Sequence, residues 1–244
     1  MTSTLGARAP RLRGARALFT GRDGGVSTGD HASLNLARHV RDDDAAVIEN
    51  RSRLAAEIGA PLVFVDQVHS ADVHVLPATG EAPVVTADAI VTGREDVALA
   101  IMVADCLPVL LSDPVSGVIA VAHAGRKGLL GGVLEATVAA MTELGARPGD
   151  LTASIGPAIC GACYEVPEDM RADAAARIPA TASTTTWGTP AIDPRAGAVA
   201  ILQGEGFEQD AIDADHPCTL EDGRFFSYRR SATTGRFAGV LRRA

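Results

Sequence analysis

The sequence predicts an α/β or α+β fold, in a single domain with a mixed β-sheet flanked by helices. A chain of 244 residues is of the size that usually folds as one large domain. Its 47% hydrophobic content can build a core, and because only 4% is aromatic, Ala, Val, Leu and Ile must fill that core. Short β-branched runs alternate with segments of helical periodicity, which is the pattern of strands covered by helices.

The chain divides into a short lead-in and the predicted domain. Residues 1–16 are basic and rich in Ala, Gly and Arg, so we expect a loose N-terminal lead-in, and we assign residues 17–244 to the single domain. Four segments of the domain carry helix signals. Asp42 or Asp43 can cap the first, and Gly145 with Pro148 beyond it ends the second. The predicted helices span residues 43–58, 128–144, 167–177 and 194–204.

Strands are predicted at the apolar, β-branched runs. The first run is interrupted by polar residues around Gln67 and His69, and the segment TASTTTWGTPAIDP is predicted as an exposed loop. The pattern leaves the strand order open. The predicted strands span residues 62–76, 89–92, 97–103, 109–111, 118–122, 151–155, 225–228 and 237–241.

Charge and cysteine content exclude several classes of function. A net charge of −8 argues against nonspecific nucleic-acid binding, which needs a strong basic field, so an anionic substrate must meet a local cationic cluster. No apolar run approaches the roughly 18–20 residues that span a bilayer, and the basic N-terminus lacks the apolar region of a signal peptide. Four cysteines do not suggest a disulfide framework, so we expect a reducing cytoplasm.

Three residues stand in or just after an apolar run: His69 in VDQVHS, Cys106 in VADCLPV and His123 in VAHAGRKG. Their separations of 37 and 17 residues are too long for a zinc-finger knuckle, so only tertiary folding can join them. Two imidazoles and a thiolate suit zinc and leave a fourth position for water or substrate, as in catalytic sites. His74 is set aside because an offset of five places it on the opposite strand face from His69.

Each of these residues also has a plainer interpretation. A lone histidine is more often an ordinary polar residue than a ligand. Cys106 is either a zinc ligand, a nucleophile activated by a neighbouring histidine with Asp105 to orient the partner, or a small buried hydrophobe. Cys160-Gly-Ala-Cys163 is a lone C-x-x-C pair with no second pair to complete a site, which favours packing or incidental cysteines.

The junction after His123 is a candidate anion site. Gly125, Arg126 and Lys127 lead into a predicted helix, whose first N–H groups attract anions, although a tight turn that needs glycine explains the same residues. The spacing is not that of a Walker A loop. The further arginines that either bind phosphate or are simply solvated are Arg22, Arg41, Arg229 and Arg230.

Taken in order, several segments resemble one family. They are GRDGGVSTGDHASLNLARHVRDD, ENRSRL, DQVHSADV, TADAIVT, ADCLPVLL, AHAG, IGPAICGACYEV and CTLEDGRFFSYRRSATTGRFAGV. The series resembles the YfiH-type family, long called multicopper polyphenol oxidases or laccase-domain proteins and since reassigned as purine nucleoside phosphorylases. The resemblance covers nearly everything from residue 17 onwards.

The resemblance implies a zinc site built by His69, Cys106 and His123. It also implies phosphorolysis of adenosine, inosine, guanosine and methylthioadenosine to base and ribose 1-phosphate, often with adenosine deamination. One position departs from the family, whose members commonly read AHAG-Trp-Arg-Gly where this chain has Arg126 and Lys127. Compared with the family pattern, this chain keeps a positive charge at the second position and lacks the aromatic ring at the first.

The leading hypothesis is therefore a zinc-dependent purine nucleoside phosphorylase with adenosine deaminase activity as an addition. Cys106, Asp105 and Asn35 are the expected catalytic residues, and nucleosides and phosphate are the expected partners of a monomer or homodimer that binds neither nucleic acid nor membrane. The alternatives are a cysteine hydrolase or amidase using Cys106, a copper-dependent polyphenol oxidase and a non-catalytic binding protein. Copper suits the three-ligand site, but six histidines without a His-x-His pair argue against a self-contained laccase.

Overall fold

The structure is a computed structural model, and it describes residues 5–8 and 10–244. Its strands, in chain order, are β1 (Gly6–Arg8), β2 (Ala15–Thr20), β3 (Leu62–Val63), β4 (Val73–Val75), β5 (Ala89–Thr92), β6 (Ala98–Val103), β7 (Leu107–Ser112), β8 (Ile119–Ala124), β9 (Thr152–Ile155), β10 (Ala182–Thr184), β11 (Pro190–Ile192), β12 (Ile212–Asp213) and β13 (Phe237–Arg243). The helices are α1 (Asp44–Ile58), α2 (Arg126–Leu130), α3 (Val133–Glu143), α4 (Glu168–Arg177) and α5 (Pro194–Gly204).

The strands form two mixed sheets and a separate hairpin. The smaller sheet has the order β1-β2-β13-β6-β3, and the larger has the order β12-β9-β7-β8-β5-β4. Most neighbours run antiparallel, while β3 with β6, β4 with β5 and β12 with β9 run parallel. The predicted class, an α/β domain with mixed pairing and flanking helices, is confirmed, and the second sheet is an addition to it.

The two sheets pack face to face, and helices cover their outer faces. Phe19 and Ile101 of the smaller sheet share one buried cluster with Leu110 and Val121 of the larger sheet. Residues of α3 and α5 bury the other face of the larger sheet, and residues of α1 bury the other face of the smaller one. The molecule thus has four layers, helix, sheet, sheet and helix, so the central strands are buried on both faces.

The predicted helices are confirmed except that one of them is divided. Helix α1 begins at Asp44, after Asp43 accepts a hydrogen bond from the Ala45 N–H at 2.9 Å. The predicted helix 128–144 is two helices, α2 and α3, with Gly131 and Gly132 between them. Gly132 has a φ of 91°, a left-handed conformation that interrupts the helical backbone.

Three predictions about strands and loops are wrong. Residues 62–76 are not one strand, because β3 joins the smaller sheet and β4 the larger. Residues 225–228 form no strand; Phe225 and Phe226 are buried, but their backbone lies in an irregular turn segment. The predicted loop 181–194 contains the β10–β11 hairpin, in which the apolar Ala191 and Ile192 are buried while Trp187 stays exposed at the turn.

The lead-in differs from expectation where the structure describes it. Strand β1 and the first residues of β2 fall within residues 1–16 and belong to the smaller sheet, in which β1 pairs with the last residues of β2, Phe19 and Thr20. The rest of that prediction falls partly on residues 1–4 and 9, which lie outside the described residues. Over the part of the chain that the structure describes, no helix is both long and apolar enough to cross a bilayer.

Candidate metal centre and its cleft

Sheet register brings two of the three predicted ligands, Cys106 and His123, together, and the loop of His69 lies beside them. Strands β7 and β8 run antiparallel with Leu107 opposite Ala124, so Cys106, one residue before β7, faces the end of β8. His123 lies within β8, one residue before that end. The ligand atoms of His69, Cys106 and His123 all lie within 4.8 Å of one another, as the sequence predicted for a candidate metal site.

Asp88 fixes both histidines. Its carboxylate accepts hydrogen bonds from the backbone N–H groups of Val68, His69 and Ser70 at 3.1, 2.9 and 2.6 Å. The same carboxylate lies 2.8 Å from Nδ1 of His123, and this contact leaves the other ring nitrogen for the site. A fully buried carboxylate therefore ties the loop that carries His69 to strand β8.

The charges of the site stabilise a thiolate in the metal-free protein. Burial alone would raise the pKa of Cys106, but contacts with His123 and His69 outweigh it and lower the pKa from 9.0 to about 6. Burial would lower the pKa of His123, but Asp88 and Cys106 raise it to about 9. Burial opposes ionisation of Asp88 as well, yet the His123 hydrogen bond and the backbone N–H groups hold its pKa far below the usual range.

Two residues beside the site adopt left-handed backbone conformations that side chains disfavour. His69 has a φ of 65° and Asp105 a φ of 88°. The Asp88 contacts hold His69 in place. Asp105 is held because its carboxylate accepts hydrogen bonds from the Thr219 hydroxyl and the Arg229 N–H, both at 2.6 Å. Such strain persists only where surrounding contacts enforce it, and it is concentrated at functional sites.

Gly125 leaves the space in which the ligands meet. A Cβ at this position would lie 2.6 Å from Cδ2 of His69 and 3.1 Å from Sγ of Cys106. We expect Gly125→Ala to displace His69 and to weaken metal binding about 10–100-fold, comparable to the loss of a residue that orients a ligand. Competition with a chromophoric chelator measures the change. Gly93→Ala is the control, because its Cβ would meet nothing within 4 Å; equal affinities of the two variants would contradict the prediction.

The triad opens into a cleft of about 660 Å³. Asp105, Arg126 and Arg229, all predicted from the sequence, line it. The sequence interpretation did not name several other lining residues as site residues: His39, Gln67, Tyr164, Tyr228 and Arg236. Arginine and tyrosine side chains thus line the cleft, although the chain as a whole carries a net negative charge.

The tyrosines and arginines of the cleft contact each other. The Arg229 guanidinium lies 5.3 Å from the Tyr164 ring centre, and that of Arg236 lies 6.0 Å from the Tyr228 ring centre. Arg229 also donates to the Glu165 carbonyl at 3.0 Å. These contacts orient flat cationic and aromatic groups towards the same space.

The other predicted site residues lie elsewhere. Asn35 is fully buried, and it donates to the Asp42 carboxylate at 2.8 Å and accepts from the Arg236 N–H at 2.9 Å. It therefore supports a lining arginine from behind. Lys127 is exposed beside Arg126 and is not a lining residue of the cleft.

Three arginines that the sequence suggested as phosphate ligands do not line the cleft. Arg22 donates to the Ala32 carbonyl at 3.0 Å and lies over the Phe226 ring. Arg41 is exposed, with a φ of 64°. Arg230 donates to backbone carbonyls of the 219–225 segment. Arg22 and Arg230 therefore make contacts within the fold, and neither is a lining residue of the cleft.

Fold and donor set together define a four-layer α/β protein with an open, three-ligand candidate metal centre. The family model described as multi-copper polyphenol oxidoreductase laccase matches residues 16–244. The chain belongs to this family, the YfiH-type or laccase-domain proteins.

Relatives in sequence and in structure extend over nearly the whole chain. A purine nucleoside phosphorylase of Streptomyces griseus is 50% identical over 238 residues, which cover 96% of each chain. One of Streptomyces coelicolor is 51% identical over 234 residues, 94% of this chain and 96% of the relative. A Neisseria meningitidis crystal structure has a TM-score of 0.86 with 37% identity and 98% coverage of both chains. YlmD from Geobacillus stearothermophilus has a TM-score of 0.87 with 33% identity and 97% coverage of both.

Proposed function

We propose that the protein is a zinc-dependent purine nucleoside phosphorylase that cleaves adenosine, inosine, guanosine or methylthioadenosine with phosphate, and that it also deaminates adenosine. The observation that carries the proposal is the cleft itself. Arg126, Arg229 and Arg236 line the same space as the triad on a chain of net charge −8. The names of the Streptomyces relatives support the same activity.

The cleft suits both a purine base and the phosphate that attacks the nucleoside. Tyr164 and Tyr228 offer ring faces on which a purine can stack, and base–aromatic stacking is worth about 1–3 kcal/mol per base. Arginine is suited to phosphate because its planar fork donates two parallel hydrogen bonds. At the position where family members commonly have Trp, the lining residue is Arg126, which exchanges an aromatic surface for a cationic one.

The donor set fits zinc. One thiolate and two imidazoles are zinc ligands, Asp88 orients His123 through its second nitrogen, and Gly125 keeps the space clear. When bound, zinc supplies Lewis-acid polarisation of a substrate group. His69, Cys106 and His123 would hold it, in the reducing cytoplasm that keeps the thiol free.

For phosphorolysis, the protein's main task is to position phosphate for attack at ribose C1′. The arginines hold the phosphate and the tyrosines hold the base, so the two reactants meet without loss of further translational freedom. The transition state resembles an oxocarbenium ion, and negative charge nearby stabilises it. Asp105, whose carboxylate is anchored by Thr219 and Arg229, is the proposed source of that charge.

Chromatography of nucleoside incubations tests the proposal directly. Metal-replete protein with adenosine or inosine should release free base and ribose 1-phosphate only when phosphate is present. Inosine formed from adenosine reports deamination. If neither nucleoside changes in metal-replete, phosphate-containing buffer, the proposal fails.

Adjacent residues provide a matched test of phosphate binding. Arg126 lines the cleft and Lys127 is exposed beside it, so Arg126→Gln should raise the KM for phosphate about 10–100-fold, as expected for loss of a charged hydrogen bond. Lys127→Gln removes the same charge and should leave this KM nearly unchanged. Steady-state rates at varied phosphate measure both variants. Equal effects of the two substitutions would show that Arg126 acts only through general charge.

A cysteine hydrolase or amidase is the second candidate, and one contact favours it. Sγ of Cys106 lies 3.7 Å from Nε2 of His69, and its lowered pKa is typical of a nucleophilic thiol. Chelation distinguishes the two functions, because a zinc enzyme loses its activity with chelator and regains it with metal. A trapped covalent intermediate on Cys106 would favour the hydrolase.

Copper-dependent polyphenol oxidation is the third candidate, and the description of the family model favours it. Copper binds N and S donor sets more tightly than zinc, so purified protein is to be analysed for both metals. Oxidation of a polyphenol by the copper-loaded protein, without nucleoside cleavage by the zinc-loaded protein, would favour this activity over the leading one.

A further inference from the structure

A second group of metal-ligating side chains lies apart from the triad. Ligand atoms of Cys160, Cys163, Cys218 and Glu221 all lie within 4.8 Å of one another. None of these four residues lines the cleft of the described structure, and the proposed function uses none of them. The sequence presented only the lone C-x-x-C pair, because Cys218 is 55 residues beyond Cys163.

The four residues come as two pairs with the same spacing. Cys160-x-x-Cys163 is one pair, and Cys218-x-x-Glu221 is the other. Each pair lies on a tight turn: the Cys163 N–H donates to the Cys160 carbonyl at 3.0 Å, and the Asp222 N–H donates to the Cys218 carbonyl at 2.9 Å. Two turns that each present two donors are the arrangement of structural zinc sites, in which ligands come in closely spaced pairs.

The local contacts suit thiolates held by a cation. The Cys160 N–H points at Sγ of Cys218, 3.4 Å away, and so stabilises negative charge on that sulfur. Cys163 and Cys218 are buried, while Cys160 is partly exposed and Glu221 is exposed, which leaves a path for an ion. All three cysteines are free thiols. Three thiolates at this spacing repel one another unless a cation lies between them.

We propose that Cys160, Cys163, Cys218 and Glu221 form a structural zinc site that joins the two turns. The set supplies four donors and so closes the tetrahedron that zinc prefers. The triad supplies three and leaves one position open. The two sites therefore differ in kind, one closed and one able to bind substrate.

The proposed site would brace one wall of the cleft. Ile159 precedes Cys160 and donates its N–H to the Asp105 carbonyl at 3.0 Å, and Tyr164, which lines the cleft, follows Cys163. On the other turn, Thr219 follows Cys218 and donates its hydroxyl to the Asp105 carboxylate. Zinc between the turns would fix the residues that hold Asp105 and Tyr164 without touching substrate.

Metal counting on the full chain tests the proposal without any activity assay. Protein stripped with chelator and dialysed against zinc should hold about two equivalents per chain. Cys160→Ser, at the partly exposed position, should hold about one, as should Cys106→Ala in the triad. The double variant should hold almost none. Glu221→Gln should weaken the second site, while Glu208→Gln, at another exposed glutamate, should not.

Cobalt provides an independent signal for the same site. Co²⁺ bound to three thiolates gives strong near-ultraviolet charge-transfer absorption, which should persist in Cys106→Ala and fall in Cys160→Ser to the weaker absorption of the single Cys106 thiolate. The proposal is overturned if folded Cys106→Ala binds no zinc and shows no such absorption. It is also overturned if purified wild-type protein, under reducing conditions, holds copper at this site or contains a Cys160–Cys163 disulfide.

Discussion

Cys106→Ala is expected to abolish metal binding at the triad and to lower nucleoside cleavage by at least about 100-fold. The loss should exceed the 10–100-fold cost of removing a residue that merely orients a ligand, because the thiolate is itself a ligand. The remaining imidazoles of His69 and His123 provide two donors, which is fewer than catalytic zinc sites use. The triad's metal is counted best in a Cys160→Ser background, so that the second group of donors does not contribute.

The control for this experiment is another histidine of the chain. His74 lies on β4 and is not one of the three residues of the triad; it is separated from His69 by a change from loop to strand and not by opposite faces of one strand. His74→Ala should retain the metal and most of the activity. A Cys106→Ala, Cys160→Ser protein that still holds stoichiometric zinc would exclude Cys106 as a ligand.

Asp88→Asn is expected to lower both the stability and the metal affinity. The carboxylate accepts three backbone hydrogen bonds and pairs with His123, so an amide there would point its own N–H group at donors. Breaking a buried pair of this kind costs on the order of 3 kcal/mol of unfolding free energy. Metal affinity should fall about 10–100-fold, because the substitution frees the His123 ring and the His69 loop.

The pH dependence of the stability loss identifies its source. In the metal-free protein, the lowered pKa of Asp88 contributes stability that is present above its unfolded pKa of about 3.9 and is lost as pH falls through the folded value. The raised pKa of His123 contributes stability that is fully present below about 6.5 and is lost as pH rises through about 9. The difference between Asp88→Asn and wild type should therefore be largest between about pH 4 and 6.5.

Denaturation in urea across this range measures the difference. Asp72→Asn is the matched control, because Asp72 is exposed and holds β5 through its backbone carbonyl. It should behave as wild type at every pH. A stability loss in Asp88→Asn that does not vary with pH would indicate packing, and not the ion pair, as its cause.

Local signals in the sequence predicted local structure well. Asp43 caps α1, and Pro194 begins α5 at the predicted residue. The predictions that failed concern residues whose backbone conformation depends on contacts with distant parts of the chain. Phe225 and Phe226 have high strand propensity, yet packing in the core between the sheets outweighs it and leaves them in an irregular turn.

The site was predictable only where single residues carried its chemistry. His69, Cys106 and His123 stood out because polar ligands followed apolar runs. Asp88 precedes β5 directly and carries a weaker form of the same signal, a carboxylate beside an otherwise buried strand. Tyr164, Tyr228 and Arg236 gave no such signal, since the fold alone brings their segments to the cleft.

The left-handed backbone at His69 and Asp105 has a consequence for the heat tolerance of this protein. Each such residue costs on the order of 1–3 kcal/mol, which glycine would recover. Directed evolution for heat tolerance alone would thus favour sequences that relax these two turns and lose the ligand and the carboxylate beside it. Glycine at either position would stabilise the backbone, but it would remove the His69 ligand or the Asp105 carboxylate.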